Sequence, residues 1–250
     1  MKKIIASLTA ASLAFGGFHA SAQAPTVEDI SLSMTSSFES EYIFRGFEEG
    51  RRAFQPSVQA SLPVVEGTLY GEVWSSQPLE GSSGGTPEIN LITGYSIPVE
   101  LVTVDFGFTY YWYPERDVVA PFNREKEIYL GGALDTIANP AVYIYHNFSL
   151  DAWIAEAEIS HDLILTDFAT LELKALAGTA KSSDSNSDQS PGSPNESWNY
   201  YELTADVVYA LNDVTDLSIG GRYSKIQGEP NDYLAATDKL WWGASISMGF

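Results

Sequence analysis

In the stretch from Leu240 to Phe250, every second residue is apolar: Leu240, Trp242, Ala244, Ile246, Met248 and Phe250. Gly243, Ser245, Ser247 and Gly249 stand between them. A period of two predicts a β-strand with one apolar and one tolerant face. A strand of a soluble sandwich can alternate in the same way. An apolar strand that stops on an aromatic residue suits an outer-membrane barrel better. There it pairs with the first strand and leaves no open edge.

The same alternation recurs upstream and predicts eleven more strands. Strand one covers residues 30–44, with Leu32, Met34 and Phe38 opposite Ser33, Ser37 and Glu39. A charged, Gly-containing loop over 45–52 follows, and strand two runs near 54–64. Strands three and four fall near 69–74 and 89–97, and strand five spans 102–113. Strand five is the clearest: Val102, Val104, Phe106, Phe108, Tyr110 and Trp112 oppose Thr103, Asp105, Gly107 and Thr109. Strand six covers about 125–134, and strand seven, about 141–148, is apolar on both faces, which leaves its register open. Strand eight, near 153–160, competes with a helix because Ala and Glu favour one. Its period of two and its neighbours favour a strand, with residues 163–168 turning. Strands nine, ten and eleven lie near 171–177, 200–209 and 217–224.

Twelve is an even number, as expected of a single-chain bacterial barrel. The connections alternate between long polar loops and short turns, with the seventh link short where a long one is due. Long outside loops and short periplasmic turns are the mark of an up-and-down barrel. The expected fold is therefore all-β, a transmembrane up-and-down antiparallel β-barrel of about twelve strands with periplasmic termini.

The amino-terminal segment supports export. Lys2 and Lys3 precede an apolar run over 4–18, and Ala20-Ser21-Ala22 is a small-x-small cleavage signature. Residues 1–22 read as a secretory signal peptide and 23–250 as the barrel domain. The apolar run is shorter than the ~20 residues of a spanning helix. The sequence has no cysteine, so disulfide and thiol chemistry are excluded. A formal charge of −20 argues against nucleic-acid binding, which needs clustered Lys and Arg.

If the apolar faces meet lipid, the opposite parity lines the lumen. That places Glu72, Trp74, Asp105, Glu156, Glu158, Glu172, Lys174, Glu202, Asp206 and Arg222 inside, with Arg45 beside them. Such a lumen is wet and net negative, favouring cations or neutral polar solutes. The competing expectation is a packed lumen of paired charges, with Arg222 bonded to Glu202 or Asp206 across adjacent strands. Tyr110, Trp112, Trp242 and Phe250 are expected at the membrane interfaces.

Catalytic signals are thin. Ser160 and His161 are adjacent, so on a strand they point to opposite faces. His161 shares the parity of Ile159 and reads as an interfacial ring. Glu156 and Glu158 share a face but read as carboxylates lining water. Asp184, Asn186 and Asp188 resemble half of a calcium loop without the bidentate Glu. No cofactor or metal is expected.

The segment Ser40-Glu41-Tyr42-Ile43-Phe44-Arg45-Gly46, closing strand one with a Ser-x-Tyr-x-x-Arg-Gly pattern, resembles the TorF-type family of proposed porins, an uncharacterised proteobacterial group. Similarity extends to Phe54-Gln55-Pro56-Ser57-Val58-Gln59, Gly71-Glu72-Val73-Trp74-Ser75-Ser76, Gly94-Tyr95 and Tyr110-Tyr111-Trp112-Tyr113-Pro114. It is strongest over about the first half. Phe47-Glu48-Glu49 departs from the Ser-Gln pair that often follows the Gly in that family. The resemblance implies an outer-membrane barrel and a porin role, without a substrate or catalytic residues.

The expected function is passive diffusion of small polar solutes or cations through the outer membrane. Its partners would be outer-membrane lipids, the barrel assembly machinery and the solutes themselves. The alternatives are a non-conducting barrel acting through surface loops, above all residues 181–197, and a barrel enzyme.

Overall fold

The computed structural model describes residues 30–80, 84–115, 123–182, 197–228 and 238–250. The expected signal peptide and the half calcium loop lie outside them. The chain forms twelve strands: β1 (Ser31–Phe44), β2 (Phe47–Val64), β3 (Gly67–Pro78), β4 (Glu88–Val99), β5 (Val102–Trp112), β6 (Arg124–Leu134), β7 (Ala141–Asn147), β8 (Ala152–Thr166), β9 (Ala169–Ser182), β10 (Ser197–Asn212), β11 (Thr215–Gly228) and β12 (Asp238–Gly249). Each strand pairs antiparallel with its neighbours in sequence, and β1 pairs with β12 to close the ring. No helix occurs among the described residues. The Ala- and Glu-rich β8 is a strand because its period of two lets both neighbours pair with it.

The β1–β12 seam ends in a joint between two residues distant in sequence. The Leu32 amide donates to the Phe250 carbonyl at 3.1 Å, and the Phe250 amide donates to the Leu32 carbonyl at 2.8 Å. Each backbone group left unpaired in lipid costs several kcal/mol. Deleting Phe250 is therefore expected to lower the amount of barrel assembled in the outer membrane while leaving strand content in detergent nearly unchanged. Membrane fractionation with circular dichroism checks this, and normal outer-membrane levels would contradict it.

The two faces sort as the alternation predicts. Leu32, Met34, Val58, Val73, Phe106, Leu203, Ile219 and Ile246 project outward and are largely exposed. A contiguous apolar surface of this size would drive aggregation in water. In a bilayer it becomes the lipid-facing band, where each Leu, Ile or Phe gains ~1.5–3 kcal/mol on leaving water. Arg124, Lys126, Lys181, Lys225 and Asp238 lie at the long-loop ends of their strands, away from mid-membrane depth where charge costs most. Aromatic side chains sit towards both ends of the outer face. Tyr110 and Trp112 lie towards the long-loop end, Trp242 packs on Phe38 at 5.2 Å, and Phe250 caps the short-turn end.

Several boundaries differ from the sequence expectation. β8 continues through residues 163–166, turning only at 167–168, and β9 continues to Ser182. The outward Leu163 and the pairing across to β9 extend the hairpin beyond the point where alternation weakens. The largest difference concerns residues 45–52. They form a turn of Arg45 and Gly46 followed directly by β2, where a charged outside loop was expected. Both turn residues have positive φ, 51° and 88°, which suits a tight two-residue hairpin.

Candidate functional site in the barrel lumen

The tip of this first hairpin lies inside the barrel. β1 pairs with β12 only as far as Glu39, and β12 continues towards Asp238 paired with β11 alone. β2 pairs with β3 only from Ala53 onward. Between those points, β1 and β2 form a two-stranded ribbon, kinked by a bulge between Tyr42 and Ile43.

Arg45, at the ribbon's tip, reaches side chains of β6, β7 and β8. In a ring of twelve these strands form the wall opposite β1 and β2. Its guanidinium donates to both carboxylate oxygens of Glu127, at 2.7 and 2.9 Å. It also lies 3.6 Å from the Glu156 carboxylate and 4.6 Å from the centre of the Tyr145 ring. Side-chain exposure is 11% for Arg45 and 1% for Glu127, so this fork is shielded from water. The Tyr111 hydroxyl donates to Glu127 at 2.9 Å, and the Tyr200 hydroxyl donates to Glu156. Around the fork, Phe47 packs edge-on to Trp198 at 5.3 Å, and the Trp198 indole donates to the Arg45 carbonyl at 3.3 Å. At the ribbon's root, Trp74 packs on Tyr42, whose hydroxyl donates to Glu88 at 3.1 Å.

Two further polar clusters line the inside. Fully buried Asp105 accepts the Tyr70 hydroxyl at 2.9 and 3.1 Å, and that hydroxyl also meets the Tyr129 hydroxyl at 2.5 Å. Paired glycines, Gly94 and Gly107, provide the floor for these phenols. A Cβ on either would stand 2.2–2.6 Å from one of them. The second cluster centres on Arg222, which pairs with Asp206 at 3.1 Å and Glu39 at 3.3 Å. Gly220 and Gly243 leave room for those two carboxylates to lie flat against the wall. Trp241 donates to Glu39 at 3.2 Å.

The structure turns Glu72, Trp74, Asp105, Glu156, Glu158, Glu172, Lys174, Glu202, Asp206 and Arg222 to the inside, by their strand parity. It brings together Arg222 with Asp206, and Lys174 with Glu158 at 3.7 Å. Glu202 lies with Glu39 and Arg222 around a cavity of about 20 Å³. Arg45 is not on the wall at all but at the tip that crosses to it.

Sequence reasoning did not single out Glu127, Glu88, Tyr111, Tyr145 or Tyr200. Glu127 was accessible, because Ile128 and Leu130 fix the outward parity of β6 and leave Glu125, Glu127 and Tyr129 inward. The two described histidines, His146 and His161, stand away from the lumen. His146 stacks on Trp153 at 4.4 Å, and the His161 ring contacts the Ile137 carbonyl at 2.7 Å. Among the described residues, no three or more His, Asp or Glu side chains gather as a metal site.

A closed ring with an apolar exterior and a charged interior defines an outer-membrane β-barrel. A family model described as "Bacterial protein of unknown function (Gcw_chp)" matches residues 21–153, and the chain belongs to that family. No curated protein matches it in sequence. Among solved structures it is similar to the KdgM porin, with 11% identity, a TM-score of 0.51, and coverage of 88% of this chain and 99% of that one. The NanC porin is similar at 12% identity and a TM-score of 0.48, covering 88% of this chain and 98% of the other. At 11% identity the likeness to the KdgM porin is one of fold.

Proposed function

We propose that the protein is an outer-membrane channel for passive diffusion of small polar solutes or cations, with the short-turn end and both chain termini facing the periplasm. The observation that carries this reading is the excess of carboxylates on the inner wall. Arg45, Lys174 and Arg222 each sit in an ion pair, while Glu72, Asp105, Glu172 and Glu202 add further inward carboxyl groups. A water-containing lumen of this charge attracts cations and repels anions. The TorF-type resemblance points to the same role.

The test is single-channel conductance of the refolded protein in a planar bilayer, with reversal potential in a potassium chloride gradient. Cation-selective steps are expected. One charge ~6 Å from the ion path is worth ~0.7 kcal/mol in water, roughly a threefold change in ion occupancy. Glu158→Gln is accordingly expected to lower the cation-to-anion permeability ratio about tenfold, roughly threefold from each ion in opposite senses. An unchanged ratio would place Glu158 away from the constriction.

A second reading, a non-conducting barrel acting through its outside surface, is favoured by the ribbon across the lumen and the buried aromatic cluster beneath it. Silence from a folded, inserted protein would select it. Of residues 181–197, where such binding was expected, Lys181, Ser182 and Ser197 belong to β9 and β10, and 183–196 lie outside the described residues.

A further inference from the structure

On the outer face of the barrel the sign of the charge reverses. From β3 to β12, the outward strand positions among the described residues carry Arg124, Lys126, Lys181 and Lys225 but one carboxylate, Asp238. The chain as a whole has a formal charge of −20, so this placement is selective. Asp238 is taken by Lys225 at 3.8 Å. Arg124, Lys126 and Lys181 are exposed and, among the described residues, make no ion pair. All three lie on one side of the barrel, at the long-loop ends of β6 and β9.

Aromatic rings occupy the interval between these cations. The register sets Ile128 beside His146, His146 beside Trp153, and Trp153 beside Lys181. One step nearer the rim, the Phe148 amide donates to the Lys126 carbonyl at 2.8 Å. The His146 ring stacks on Trp153 at 4.4 Å and meets Phe148 edge-on at 4.7 Å. Trp153 and Phe148 are nonetheless 57% and 52% exposed, so the rings brace one another and keep an open side. The link between β7 and β8 is residues 148–151, short where the alternation of links called for a long one. These two strands therefore raise no long loop over the platform.

An aromatic girdle alone needs no cations. Lysine and arginine at the membrane surface attract anionic lipid head groups, by about fivefold in affinity for each charge. Lys126 and Lys181 stand three strands apart, ~14 Å at the backbone. The cations thus flank the platform on both sides. One phosphate at either side leaves the other unanswered. A sugar head group with a phosphate at each end answers both and lays the C–H face of its rings on Trp153 and Phe148.

We propose that Arg124, Lys126 and Lys181, with His146, Phe148 and Trp153 between them, bind a membrane lipid whose sugar head group carries two phosphates, in the leaflet at the long-loop end. This site stands whether or not the lumen conducts.

The test titrates the refolded protein in neutral detergent with diphosphoryl lipid A, monophosphoryl lipid A and phosphatidylglycerol, and counts bound lipid by native mass spectrometry. Diphosphoryl lipid A is expected to bind at least about fivefold more tightly than either of the others. Lys126→Gln/Lys181→Gln is expected to weaken it about 25-fold, and Lys181→Gln alone about fivefold, which keeps the test open if the pair fails to fold. Lys225→Gln removes a cation that already has its carboxylate and is expected to leave binding unchanged. A loss as large with Lys225→Gln as with Lys181→Gln would reduce the effect to net charge and overturn the site. Equal affinity for all three lipids would overturn the two-phosphate head group. Absence of binding to protein with the heat-dependent gel mobility of a folded barrel would overturn the proposal entirely.

Discussion

Glu127→Ala is expected to destabilise the folded barrel by about 3 kcal/mol, the lower end of the cost of breaking a buried ion pair from one side. Glu127 is 1% exposed and holds both the Arg45 fork and the Tyr111 hydroxyl, so its loss strips a buried guanidinium and a buried phenol of their main acceptor. Glu156, at 3.6 Å, compensates only in part. The double variant Arg45→Met/Glu127→Leu is expected to recover most of the loss, because replacing a buried pair by apolar groups of similar volume is often near neutral. The four corners of that cycle give the coupling energy directly. Denaturant titration followed by tryptophan fluorescence in detergent measures it, since Trp198 packs at the tip. A cost below about 1 kcal/mol for Glu127→Ala would mean that the fork is solvated in the membrane-embedded protein.

Gly107→Val is expected to destabilise the barrel by overpacking its inner wall. A Cβ at this position would lie 2.2 Å from the Tyr129 hydroxyl and 2.4 Å from the Thr93 carbonyl, and the second atom is backbone that cannot swing away. Overpacking of this kind costs about 1–3 kcal/mol. Moving Tyr129 would also break its contact with Tyr70, and with it the chain of hydroxyls ending on Asp105. Gly221→Val provides the comparison within the same barrel, because a Cβ on Gly221 meets nothing within 4 Å and faces outward. It is expected to change stability by less than about 0.5 kcal/mol. Heat-dependent mobility on denaturing gels ranks the two variants. Equal ranking would show that the inner phenols are free to move.

The outward face of each strand was legible because lipid imposes one rule on every second residue, and Val102 to Trp112 obeys it without exception. Parity then placed Glu72, Asp105 and Asp206 inside, and cross-strand adjacency suggested the pairing of Arg222 with Asp206. What parity does not encode is depth along the barrel axis or what stands opposite across the lumen. Arg45 and Glu127 are separated by 82 positions and share no strand pair, so no local pattern joins them. Residues 45–52 carry Gly and several charges, a composition that in most settings marks a solvated loop. Here the charges are bonded to one another or to the walls, and the two aromatic residues flanking the turn, Phe44 and Phe47, were the available sign that this segment packs inward.

The inward tip also constrains the order in which the barrel can fold. β1 and β2 come first in the chain, yet the tip they carry docks against Glu127, Tyr145, Glu156 and Trp198, which arrive much later. A guanidinium has no reason to leave water before its carboxylates are in place, so the hairpin must fold as a ribbon with an undocked end. Docking waits until β6, β7, β8 and β10 are in place. Refolding should therefore show a late, salt-sensitive phase in tryptophan fluorescence, after the strand signal in circular dichroism is complete.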